Sequence, residues 1–384
     1  MMHEVVDHDV HDGDEWRTGR GVSAVPDRTN IDDWCVRVGL PQAMIAELIG
    51  YRDRMVACEA VSTLFHAFCD RLSLQTDWPD PTADEAVLRV CGDDAWRFGL
   101  IAYLSMLPRA EAWYRAHGIG SDLFNATMAD IGLWGANNTA RHRAVRFTEF
   151  SWIHMHLSCR LFRLGRLQFA LLPYHGEALF LRHRSEHRIV VLAVSGIRIR
   201  SDGYVDGTDH HTDPYAWTTT LATTASGWLG HPVSPDGRTQ KEEVAFTASD
   251  WEVALQPGDD TLDVHIPQGS PLDIEATMAS FGQALPFFRQ VFPQHAPQAF
   301  HCHSWLLAPQ FGQMLPESSN IVRFGHLFHR YPSEGDRQEA WERVFGHHAL
   351  SLREAPRDSS LQRALYDWLS EGRLLFSMAG MRFV

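Results

Sequence analysis

The apolar spacing of this chain changes at Leu164, and that change limits what the chain can fold into. Before Leu164, apolar residues recur at intervals of three and four; after it, they alternate or gather in short β-branched runs. Met44, Ile45, Leu48, Met55, Val56, Ala60, Leu64 and Phe68 form one broad stripe, opened by Pro41 in a first helical turn. A Pro/Asp loop follows at Asp77 to Pro81. Helical patterns then resume in ADEAVLRVCG, DDAWRFGLIAYLSML, AEAWYRAHG, DLFNATMADIGLWGANN (capped by Ser121) and FTEFSWIHMHLSCRLFRLG. The expectation is an α-helical domain of six or so helices over residues 31–163.

Beyond Leu164, LGRLQFALLPY, EALFLRH and HRIVVLAVSGIRIRSDG read as strands, the last closed by the Asp202-Gly203 turn. Residues 208–240 are polar and punctuated. There His210, His211 and Asp213 read as part of a surface loop rather than a metal cluster. FTASDWEVAL suits a short helix or strand. The stretch from Asp260 to Leu307 then reads as strand, tight loop, helix, strand. A short helix follows over residues 308–315. NIVRFGHLFHRYP is expected to be strand, GDRQEAWERVFG and DSSLQRALYDWLSEG helices, the second capped by Asp358 or Ser359, and RLLFSMAGMRFV a final strand. The order predicts an α+β protein: a tail (1–30), a helical domain (31–163) and a mixed-sheet domain (164–384) with a parallel βαβ unit in its middle.

Composition narrows the partners. A length of 384 residues fits two domains, and 45% hydrophobic with 21% charged residues fits a folded protein. A formal net charge of −14 repels nucleic acid and anionic membranes and favours a neutral or cationic substrate. Lys241 is the only lysine, so no lysine cluster exists for Schiff-base or phosphate chemistry. The six cysteines lack CxxC spacing and read as reduced, buried residues of a cytoplasmic protein. The acidic N-terminus has no apolar signal core, and no run reaches the roughly 18 apolar residues that a membrane helix needs. His3, His8 and His11 read as part of a solvated tail.

The chemistry concentrates at the crossover. Ser270, Pro271 and Asp273 have the pattern of a helix start, with Ser270 as N-cap and Asp273 as capping-box acid. Ile274, Met278, Phe281, Leu285 and Phe288 follow on the expected buried face. Amides at such a start, beside Gly269, can hold a phosphate, and a capped helix with no ligand is the other reading. Asp263 and His265 share one face of their strand, and His301 and His303 one face of theirs. Such a cluster can act as a general base oriented by a carboxylate, or supply nitrogen and oxygen ligands to a metal. Cys302 and Ser304 face the other way, with no nucleophile motif around them.

GRLQFALLPY, VHIPQGSPLD, FHCHSWLLAPQFGQMLPESSNIVRF, PRDSSLQRAL and GIGSDLFNATMADIGLW together resemble bacterial acyltransferase domain-containing proteins. In that family a helical N-acyltransferase N-terminal domain precedes a GNAT-like C-terminal domain. The resemblance implies a GNAT-like mixed sheet whose two central parallel strands admit acyl-CoA as co-substrate, with no metal. Carried over by position, Ile266, Gln268, Gly269, Ser270 and Leu272 would meet the pyrophosphate. This loop has one glycine and two prolines where the GNAT pattern has Gln or Arg, two residues, Gly, one residue, then Gly or Ala. The implied reaction is direct transfer of an acyl group to the amine of a small-molecule acceptor lying between the domains. His265 or His303 would be the base, Asp263 its orienter, and Ser304 or Tyr331 the proton donor. A metal-dependent hydrolase or oxygenase using the Asp/His cluster, and a non-catalytic binding module on a degenerate acyltransferase scaffold, are the competing readings.

Overall fold

A computed structural model of the chain describes residues 25–74, 79–333 and 338–384. Most of the expected tail, with His3, His8 and His11, and part of the expected loop at Asp77 to Pro81 lie outside the described residues. The chain divides into two compact units, one of residues up to Ala170 with Ile266–Gly269, the other of Leu171–His265 with Ser270–Val384.

The first unit is helical: Arg28–Arg37, Gln42–Ala57, Glu59–Leu74, Glu85–Cys91, Ala95–Leu104, Leu107–Ala116, Ser121–His142 and Phe150–Leu157. The first helix starts inside the expected tail because the Asp27 carboxylate accepts the Asn30 N–H at 2.8 Å and caps it. The long apolar stripe is two helices, broken at Cys58, where the backbone is extended (φ −117°, ψ 106°). Met44, Ile45, Leu48 and Met55 are buried as the spacing predicts, whereas Val56 is 52% exposed. Ser121 is the first residue of its helix and Gly120 takes the capping position.

Two contacts fix the long helix Ser121–His142. A Cβ on Gly132 would lie 2.3 Å from the Val38 carbonyl, so only glycine allows this approach. Two residues earlier, Asp130 is buried and accepts hydrogen bonds from Trp152 Nε1 at 2.8 Å and Trp134 Nε1 at 3.2 Å, with His156 Nε2 at 3.2 Å. The helices lead into a hairpin of β1 (Leu161–Leu164) and β2 (Leu167–Pro173), paired from Leu161↔Ala170 to Leu164↔Leu167.

The second unit begins with the last residues of β2. Strands β3 (Ala178–His183) and β4 (Ile189–Ala193) form a hairpin, and β5 (Arg198–Ile199) pairs with β6 (Trp217–Thr218). Strands β7 (Leu221–Thr224), β8 (Gly227–Gly230) and β9 (Pro232–Val233) follow, so the polar, punctuated region over 208–240, to which the sequence assigns no element, carries short strands. FTASDWEVAL forms β10 (Val244–Thr247) and β11 (Trp251–Leu255), which join different sheets, ordered β10-β8-β7 and β11-β3-β4-β9.

The main sheet of this unit runs β2-β12-β13-β15-β14, where β12 is Asp260–His265, β13 Ala299–Ser304, β14 His329–Pro332 and β15 Met378–Phe383. As the sequence predicts, β12 and β13 are parallel and joined by a helix, Ile274–Val291. The carboxylate of Asp260 fastens the far end of the crossover, facing His295 Nδ1 at 3.1 Å and accepting the Ala296 N–H at 3.0 Å. Phe281 of the helix packs on Phe300 of β13, with ring centroids 4.7 Å apart. Met278, expected on the buried face, is 39% exposed. Tyr174, Phe180, Ala299, Tyr331, Ala379 and Met381 form a core between the β3 sheet and the opposite face of the main sheet.

Two local expectations are corrected. The helix begins at Ile274, and its N-cap is Asp273, whose carboxylate accepts the Ala276 N–H at 2.9 Å; Ser270 and Pro271 precede it in irregular backbone. NIVRFGHLFHRYP is not one strand: Asn320–Gly325 is a helix, and only His329–Pro332 is extended. Its apolar residues satisfy both periods, since 321 and 324, and 322 and 325, are also one helical turn apart. The capping expectation near the C-terminus resolves onto Ser359, which forms a full capping box with Gln362.

Candidate active site

Parallel pairing of β12 with β13 brings residues from opposite ends of the crossover side by side. The register places Asp263 directly beside His301. His301 Nδ1 lies 3.0 Å from Asp263 Oδ1, and His265 Nε2 lies 2.9 Å from Asp263 Oδ2. On the other side of His301, Nε2 lies 2.9 Å from the Tyr331 hydroxyl. The result is one line of four groups, His265, Asp263, His301 and Tyr331, running across the face of the sheet that carries the Tyr174 and Phe180 core.

The charges in this line follow from its geometry. Burial disfavours an ionised Asp263, but the two imidazoles donating to its two oxygens more than offset this and hold it well below the usual carboxylate range. Burial likewise disfavours imidazolium at His301, yet the hydrogen bond and charge of Asp263, with the charge of Glu177, raise its pKa. Tyr331 is fully buried, which together with nearby Tyr174 and Glu177 keeps its phenol protonated. Glu177 stands on the turn between β2 and β3, and its Oε2 is buried without a hydrogen-bond partner.

The sequence-derived site residues therefore separate into groups. Asp263, His265 and Tyr331 are brought together, and His301 joins them at the centre. His303 is exposed on the same face of β13, across β15 from Tyr331 through Ala379. The Ser304 hydroxyl accepts the Leu306 N–H at 3.2 Å and caps the 3-10 turn Trp305–Leu307. Periodicity along one strand pairs His301 with His303; the partnership with Asp263 lies across strands, and only the parallel register reveals it. Glu177 carried no signal in the sequence, because its role depends on how the β2–β3 turn is placed.

In the segment after β12, Ile266 is half-buried, while Gln268, Gly269 and Ser270 are exposed. Gly269 has φ 124°, a conformation that side chains avoid. Gln268 Oε1 accepts from Asn137 Nδ2 at 2.7 Å, and the Pro267 carbonyl accepts from Arg166 Nη1 at 2.9 Å. Leu272 is half-buried just before the Asp273 cap. Among the described residues, no three His, Cys, Asp or Glu side chains are arranged to hold a metal ion. His210, His211 and Asp213 form no such group either; Asp213 is tied to the Ser201 N–H at 2.7 Å and the Tyr215 N–H at 2.9 Å, which with the Ser201 hydroxyl lower its pKa to about 2.

A parallel strand-helix-strand crossover in a mixed sheet, with an Asp/His line across its two strands, defines a GNAT-like domain following a helical one. Residues 161–382 match the family described as GNAT-like C-terminal domain, and residues 29–159 match the N-acyltransferase N-terminal domain. The chain belongs to the acyltransferase family built from these two domains. No curated protein matches it in sequence. An acyltransferase solved in complex with decanoyl-CoA is similar in fold, with a TM-score of 0.62 at 20% identity over 96% of this chain and 91% of that one. An acyltransferase in complex with decanoyl-CoA and teicoplanin gives 0.61 at 21% identity over 94% and 89%. A mutant acyltransferase in complex with octanoyl-CoA gives 0.61 at 20% identity over the same shares.

Proposed function

We propose that the protein is an acyl-CoA-dependent N-acyltransferase that moves an acyl group to the amine of a small molecule, with His265 as general base. The observation that carries this reading is the 2.9 Å contact between His265 Nε2 and Asp263 Oδ2. With Nε2–H donated to the carboxylate, Nδ1 is the ring nitrogen assigned to take the proton of the amine, and the carboxylate stabilises the imidazolium that results. Complexes of the fold neighbours with decanoyl-CoA and octanoyl-CoA support a thioester donor, and the teicoplanin complex supports a small-molecule acceptor.

In this mechanism the acceptor nitrogen attacks the thioester carbon as His265 Nδ1 takes its proton. The tetrahedral intermediate then expels the CoA thiolate, and the imidazolium returns the proton to sulfur. Asp263 orients His265; His301 and Tyr331 hold the second carboxylate oxygen and so fix the plane of the carboxylate. Tyr331 is enclosed behind His301, so we assign it this positioning role rather than that of proton donor. His303, exposed on the same face, is the second candidate for the base. Ser304 is assigned to the turn that it caps. Ile266, Gln268, Gly269, Ser270 and Leu272 are assigned to the CoA pyrophosphate, with the open backbone around Gly269 as the support.

The test is calorimetry with octanoyl-CoA and decanoyl-CoA, followed by thiol release with a panel of primary amines. Binding and amine-dependent release are expected; folded protein that binds neither thioester overturns the reading. Loss of turnover in His265→Ala but not in His303→Ala identifies the base.

A further inference from the structure

We propose that the second unit carries a separate binding site for a small carboxylate with an apolar body, in a cavity of about 340 Å³ with Arg330 in its wall. Neighbouring residues on a strand face opposite sides of the sheet. Tyr331 points to the Asp/His line, and Arg330, opposite Gly380 in the register, points to the other face. The cavity is thus distinct from the site described above, and this inference does not rest on acyl transfer.

Arg330 is only 7% exposed, yet among the described residues no carboxylate lies within ion-pairing distance of it. Nε donates to the Gly325 carbonyl at 3.2 Å, and among the described residues no hydrogen bond engages the two terminal nitrogens of the guanidinium. Buried arginines are rarely left without an anionic partner, because removing the charge from water is costly. Burial here lowers the pKa of Arg330, with Asp236 and Tyr204 only partly opposing it. The guanidinium is also held in place, since a Cβ on Gly325 would lie 2.3 Å from Nη2. A planar fork of donors fixed in this way matches a carboxylate.

The remaining wall selects the body of the ligand. Leu306, Pro309, Phe311, Ile321 and Val322 present apolar surface. His326 is exposed at the rim. Asp236, the acid nearest the cavity, has its side chain 54% exposed and is paired with Arg238 Nε at 3.2 Å, so it sits at the edge with its charge engaged. A cavity with apolar walls and one convergent charged fork is built for an amphiphile with a single carboxylate.

The experiment is calorimetry of the full chain with hexanoate, hexanol, hexylamine and inorganic phosphate. Hexanoate is expected to bind at least tenfold more tightly than the other three, and Arg330→Met to abolish that preference. Gly312 lines the cavity, and a Cβ there meets nothing within 4 Å, so Gly312→Trp leaves the fold intact while closing the mouth. This variant is expected to lose hexanoate binding tenfold or more with an unchanged melting temperature, and it decides the matter if Arg330→Met does not fold. Equal binding of hexanol, equal binding of phosphate, or undiminished hexanoate binding by Gly312→Trp would overturn the proposal.

Discussion

His301 Nδ1 stands 3.0 Å from Asp263 Oδ1 because the two residues are register partners across the parallel strands β12 and β13. The contact needs no unusual loop or strained backbone: it follows from which residues the crossover sets opposite each other. Asp263 thereby has both oxygens occupied by imidazoles, and its orientation is fixed from both sides.

Replacing Asp263 with Asn removes the acceptor that fixes His265 in one tautomer. In the proposed mechanism, kcat is expected to fall by about 10²-fold or more, the usual scale of general-base assistance, with little change in KM for the thioester. Steady-state kinetics of Asp263→Asn checks this, and an unchanged kcat removes Asp263 from the mechanism.

Tyr331→Phe separates positioning from proton donation. The hydroxyl is enclosed against His301, so its loss is expected to reduce kcat less than tenfold. If Tyr331 delivered the proton to sulfur, the loss would reach about 10²-fold and would grow with the pKa of the leaving thiol. A series of thioesters with thiols of differing acidity distinguishes the two roles.

The line also makes stability depend on pH with a defined sign. Asp263 is held below its ordinary value of about 3.9, so its contribution is full above that value and is lost as pH falls through the lowered folded pKa. His301 is held above about 6.5, so its contribution is full below that value and is lost as pH rises through the raised folded pKa. The difference in melting temperature between wild type and an Asp263→Asn, His301→Gln double variant is therefore expected to peak near about pH 5 and shrink on both sides. Thermal unfolding between pH 3 and 9 measures it, and a difference independent of pH rejects the assignment.

In the helical unit, Asp130→Ala would take from two half-buried indole N–H groups and the buried His156 the acceptor they share. A loss of about 3 kcal/mol is expected, the scale for removing one partner from a buried charged network. Gly132→Ala is expected to cost about 1–3 kcal/mol by forcing a methyl group into the backbone at Val38 and Gly39. Urea denaturation of both variants checks these values, and wild-type stability in either contradicts the packing described.

Much of this arrangement was legible in the residues, and the reasons differ from place to place. The period change near Leu164 reflects burial on one side of helices and strands, which sequence records directly. The pairing of Asp263 with His265 follows from a period of two within one strand. The central place of His301 depends on pairing between segments 38 residues apart, which no local period reports. NIVRFG satisfied both periods, and packing chose the helix. The cap at Ile274 fell to Asp273 rather than Ser270, because a carboxylate three residues before Ala276 reaches its N–H without the intervening proline.

Strand β13 carries two unrelated duties on alternate residues: His301 and His303 face the Asp/His line, while Phe300 and Cys302 are buried on the side of the crossover helix. Point substitutions can alter one duty and spare the other. A single inserted or deleted codon within Ala299–Ser304 cannot, because it exchanges the two faces, driving imidazoles into the helix interface and a phenyl ring into the hydrogen-bonded line. Among descendants of this gene, changes of length inside β13 should therefore be purged even where changes of residue are tolerated.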